Sequence, residues 1–106
     1  MFKALVHDPV EGSKHVPFIE VNENKVHIRC GKNELHASTA AHYIGWIKLY
    51  GLKDNKLIEL GSTTFTPDES VPVTEFQLAD IKKYTKLVAA SYCNVHGIFE
   101  SEVTVQ

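Results

Sequence analysis

Short stretches of alternating apolar and polar residues, broken by turn residues, run through almost the whole chain. Val16 to Val21 predicts a strand and Asn22-Glu23-Asn24 a turn. Lys25 to Cys30 predicts a second strand, with Val26, Ile28 and Cys30 alternating against His27 and Arg29, so the two form a hairpin. Tyr43 to Leu52 predicts a long strand with Ile44, Trp46, Lys48 and Tyr50 on one face. Lys53-Asp54-Asn55 turns the chain and Lys56 to Phe65 returns it. Pro67, Asp68 and Pro72 mark a loop, and Val73 to Leu78, Lys86 to Cys93 and Ile98 to Val105 complete about seven strands. Mixed helical character is confined to a short turn at Ser38 to Ala41 and to Leu78 to Tyr84. The expected fold is all-β, an immunoglobulin-like antiparallel β-sandwich. That fold hosts many functions and says little about chemistry by itself.

The chain has 106 residues, one domain's length, with no internal repeat and no linker, so residues 1–106 read as a single domain. Apolar residues make 43% and charged residues 23%, which excludes disordered, collagen-like and coiled-coil classes. The net charge of −2 argues against a nucleic-acid partner, which calls for a basic face. No apolar run approaches the ~20 residues of a membrane span. The stretch from Met1 to Val10 lacks a signal peptide's apolar core. A cytoplasmic location is therefore expected. Cys30 and Cys93 are too few for a disulfide framework. The unusual count is histidine, 6 in a small chain, and histidine is the commonest metal ligand.

Ligand-type residues gather in three places, each at a strand end or in a loop: Lys14-His15-Val16-Pro17, His36 through His42, and Cys93-Asn94-Val95-His96-Gly97. A sandwich brings such segments together at one edge. Each is weak alone, since a lone histidine is more often a surface residue and a lone cysteine packs like a small apolar one. Cys93 and His96, two residues apart, can reach one ion from a tight loop, and Gly97 lets the backbone turn away. His36 and His42 can converge across a small-residue loop. Four histidines and one thiolate exceed the four donors of a closed structural zinc site and suit iron or copper with an open position. Ser91-Tyr92-Cys93-Asn94-Val95-His96 also resembles the ligand loop of blue-copper electron carriers. Those use two histidines, a cysteine and usually a weak axial methionine. The sole methionine here is Met1, Gln106 ends the chain, and at least two of His15, His36 and His42 would have no role.

Taken in order, Lys14-His15-Val16-Pro17, His36-x5-His42-Tyr43-Ile44-x-Trp46-Ile47 and Cys93-Asn94-x-His96-Gly97 resemble the iron-binding domain of superoxide reductases. This is also the iron-binding domain of desulfoferrodoxin, and the short one-domain members are called neelaredoxins. The resemblance runs from about residue 11 to 105. It implies a mononuclear non-haem iron with equatorial His15, His36, His42 and His96 and axial Cys93. It implies reduction of superoxide to hydrogen peroxide at the sixth position, a rubredoxin or similar electron donor, and a homo-oligomer, tetramer or dimer. An inactive metal-binding module of the same fold is the remaining alternative. In the family, Glu-Lys-His-Val-Pro is common and its glutamate can close the oxidised iron. Here Ser13 stands in that place, with Glu11 two residues earlier, and Ala37-Ser38 replaces the usual Pro-Met after the first loop histidine.

Lys14 reads either as a solvated charge or as a catalytic residue whose ammonium guides superoxide. Cys30 reads as core, His7 and His27 as surface histidines, and Trp46 as core packing near the metal loop rather than an electron relay.

Overall fold

A computed structural model describes residues 6–7 and 14–105. Its eight strands are β1 (Val6–His7), β2 (Pro17–Asn22), β3 (Lys25–Cys30), β4 (Ile44–Lys53), β5 (Lys56–Thr64), β6 (Val73–Gln77), β7 (Lys86–Cys93) and β8 (Gly97–Thr104). They form two sheets, β1-β8-β7-β4-β5 and β2-β3-β6. All pairs are antiparallel except β1 with β8. The seven expected strands are all present, and two-residue β1 is the addition. Among the described residues no helix is long and apolar enough to cross a membrane.

The turns follow their residues. Lys53 pairs with Lys56, and the Asp54-Asn55 loop between them takes φ of 51° and 63°. Both values are those of a type I′ turn, whose twist matches the flanking strands. Leu78 to Tyr84 carries a single 3-10 turn at Ile81–Lys83. Ser38 to Ala41 is not helical. Thr39 and His42 instead exchange both main-chain hydrogen bonds, at 3.0 and 3.1 Å, around Ala40-Ala41.

Between the sheets, Ile19, Val26, Ile28 and Cys30 meet Ile44, Ile47, Leu49, Leu87, Ala89 and Cys93. Near the start of β4 strict alternation fails. The register of β4 on β7 shifts between Ile44 and Trp46, so Ile44, Ile47 and Leu49 are all buried. A bulge inserts one residue and reverses the faces beyond it. Trp46 consequently does not share a face with Ile44 and is not core. It stacks on Tyr92 at 5.9 Å with Lys48 Nζ 4.8 Å from its ring centre.

Cys30 is core, as expected, and fully buried. Burial pushes its thiol up to about 12, a hydrogen bond with Ser91 draws it back slightly, and the nearby Cys93 sulfur adds to the rise. The unfolded thiol ionises near 8.5, so in this range the unfolded state loses its proton first and rising pH favours unfolding. Stability of the metal-free protein should therefore fall between about pH 9 and 12, by up to about 1.4 kcal/mol per pH unit from this group. Urea unfolding across that range should show a flatter profile for Cys30→Ala. The same slope in variant and parent would contradict the assignment.

Candidate metal centre

The donors come from three loops at one end of the sandwich. Cys93 ends β7 and pairs with Gly97, the first residue of β8. Only Asn94, Val95 and His96 lie between them, and Gly97 sits at φ 86°. A three-residue hairpin loop closed by a left-handed residue needs glycine there. His15 lies just before β2, and His36 and His42 lie in the β3–β4 connection.

That connection is built by main-chain bonds. The N–H of His36 donates to the Cys30 carbonyl at 2.8 Å, closing the turn after β3. Arg29 donates from Nε and Nη2 to the Lys32 carbonyl at 3.2 and 2.8 Å. Gly31, at φ +107°, lets this turn close: a Cβ there would stand 2.1 Å from the Glu34 carbonyl oxygen and 3.0 Å from Lys14 Cα. Gly31→Ala should cost about 1–3 kcal/mol in backbone strain and displace the segment leading to His36. Thermal unfolding with parallel metal analysis checks this. A parent-like melting temperature and metal content would show that the turn tolerates a Cβ.

The five predicted ligands converge. One donor atom from each of His15, His42, Cys93 and His96 lies within 4.8 Å of the others. His36 joins them, its Nε2 3.1 Å from His42 Nε2 and 3.7 Å from Cys93 Sγ. His96 Nδ1 is 3.0 Å from His15 Nε2 and 3.7 Å from Cys93 Sγ. His96 presents Nδ1, the ring nitrogen nearer its backbone, because it is only three residues from Cys93. Ring centres of His15 and His36, His36 and His42, and His15 and His96 are 4.4 to 4.6 Å apart, those of His42 and His96 5.2 Å, and those of His15 and His42 5.8 Å. The imidazoles thus form a ring with His15 across from His42.

This donor set fits a metal. Imidazole–metal bonds of about 2.1 Å place adjacent nitrogens about 3.0 Å apart, close to the 3.0 and 3.1 Å found. The tautomer of His36 also suits ligation. His36 Nδ1–H donates to the Ala37 carbonyl at 2.8 Å, which leaves Nε2 bare. Burial, chiefly, lowers the His36 pKa, against the Ala37 bond and with the charges of His42, His96 and Lys14; the imidazole is kept neutral, the form that binds metal. His15 lies face to face with Phe99 at 4.7 Å, which fixes its ring. Cys93 is buried, His15 and His42 are half-buried and His96 is exposed, so the site opens outward from a buried sulfur.

Lys14 lies beside the site with its Nζ 3.2 Å from Glu34 Oε1. His27 lies elsewhere, on the three-stranded sheet, 3.4 Å from Glu75. Ser13, Glu11 and the side chain of His7 lie outside the described residues. Two residues without an assigned role emerge at the centre. Ser91, fully buried, donates to the His15 carbonyl at 2.7 Å, and Asn94 bonds both neighbours of His42. The sequence signal for Ser91 was a polar residue in the inward row Leu87, Ala89, Ser91, Cys93.

A two-sheet sandwich with a histidine ring over one cysteine defines a metal-binding β domain, and the comparisons give it a family. The desulfoferrodoxin family model matches residues 8–102, and the chain belongs to that family. It is 37% identical to superoxide reductase of Pyrococcus furiosus over 91% of each chain. It is 36% identical to neelaredoxin of Megalodesulfovibrio gigas over 87% of this chain and 86% of that one. Among solved structures, superoxide reductase from Giardia intestinalis superposes with a TM-score of 0.84 at 40% identity, covering 88% of this chain and 99% of that one.

Proposed function

We propose that this chain is a superoxide reductase that works at one iron ion held by His15, His36, His42, His96 and Cys93. The observation that carries the reading is the convergence of four imidazoles and one thiolate on a common centre. The blue-copper alternative would leave two of those imidazoles without a role. When bound, the ferrous ion supplies the electron that converts superoxide, with two protons, into hydrogen peroxide.

The protein's own residues set the conditions. Cys93, buried, supplies an electron-rich sulfur shielded from water. The imidazole ring leaves its face away from that sulfur for a small anion. Lys14 places a positive charge beside the ring in a chain whose net charge is −2. A rubredoxin-type donor would restore the electron, and the match over residues 8–102 supports one iron-binding domain across 1–106. A homo-oligomer and a cytoplasmic location complete the reading.

Elemental analysis of the purified protein tests the metal. One iron per chain is expected. Copper or zinc as the stoichiometric metal would overturn the assignment.

A further inference from the structure

His15 and His42 face each other across the ring, with centres 5.8 Å apart. Both are held by the same four-residue stretch, Ser91 to Asn94, at the end of β7: His15 at its own carbonyl and His42 through its neighbours Ala41 and Tyr43. On one side, the buried Ser91 hydroxyl donates to the His15 carbonyl at 2.7 Å. On the other, Asn94 brackets His42. Its Oδ1 accepts from the Tyr43 N–H at 2.9 Å, and its Nδ2 donates to the Ala41 carbonyl at 3.0 Å. Its main-chain N–H donates to the Tyr43 carbonyl at 3.2 Å. Cys93 stands between the two ties.

The chemistry of Asn94 explains its use. The last β4–β7 pair is Ile44 with Cys93. A carboxamide has the acceptor and donor of a peptide group. The Asn94 side chain therefore continues the ladder past that pair, as far as Ala41. An aspartate could keep the bond from Tyr43 but would set a carboxylate oxygen against the Ala41 carbonyl. Ser91 acts similarly between the sheets, its hydroxyl donating from β7 to the His15 carbonyl just before β2.

We propose that Ser91 and Asn94 are positioning residues that set the spacing of His15 and His42 over the Cys93 sulfur. The ring is then assembled by protein–protein bonds, and the metal does not have to gather it. This inference rests on the ligand assignment above.

The test uses the iron-loaded protein, challenged with excess EDTA while the ferric thiolate band is followed. Asn94→Asp and Ser91→Ala should each release iron about 10–100-fold faster than the parent, the usual cost of removing a group that orients a ligand. Both should shift the band, and Ser91→Thr, which keeps the hydroxyl, should return both readouts toward the parent. A merely structural role predicts a lower melting temperature with parent-like release and band. That result, or no change at all, would overturn the proposal. If Ser91→Ala does not fold, Asn94→Asp decides alone, because Asn94 lies in a surface turn and not in the core. A parent that carries no iron would overturn the ligand assignment and this inference with it. A loaded parent with unaffected variants would overturn this inference alone.

Discussion

Cys93→Ser is expected to abolish the thiolate-to-iron band of the oxidised protein and to strip most of its metal. Sulfur is the only soft donor among the five, and its Sγ lies 3.7 Å from two of the ring nitrogens. A serine hydroxyl is a far weaker donor at neutral pH and would sit fully buried. Leaving a buried hydroxyl without a proper partner costs about 1–3 kcal/mol. The variant should therefore melt earlier as well as bind iron poorly. Absorption spectra and metal content on the same samples decide the matter. A variant that keeps the parent's band would show that another group, not Cys93, is the thiolate ligand.

Lys14→Ala is expected to slow the second-order reaction with superoxide about tenfold at low ionic strength, a modest value for electrostatic steering. Its rate should also depend less on salt, because charges more than ~10 Å apart are largely screened at 0.1 M. Glu34 makes this sharper. Its carboxylate lies 3.2 Å from the ammonium and cancels part of the field that an approaching anion feels. Glu34→Gln should therefore speed the reaction and steepen its salt dependence, with iron content unchanged in both variants. Stopped-flow rates across an ionic-strength series separate the outcomes. Equal rate constants for Lys14→Ala and parent at low salt would make Lys14 a solvated surface charge.

Much of this molecule is legible in the order of its residues. β3 and β7 fall where alternation places them, because each is bounded by turn residues and carries a regular inward row. A period of two puts Trp46 on the face of Ile44, but the bulge between them adds one residue and separates the two. The five donors were visible as residue types at loop positions, but their convergence depends on pairings between strands far apart in the chain. The partner of Lys14 was not visible. Glu34 meets it where the turn after β3, with Gly31 at positive φ, packs against the Lys14 backbone. Ser91 and Asn94 could be read as polar residues flanking Cys93, whereas their bonds to His15, Ala41 and Tyr43 span 51 to 76 residues of sequence.

The most direct test mixes the ferrous protein with an equimolar amount of superoxide and measures both products. Reduction predicts one hydrogen peroxide for each superoxide consumed, with no oxygen released. Oxygen at one molecule for every two superoxides consumed would mean dismutation and would contradict the proposed activity.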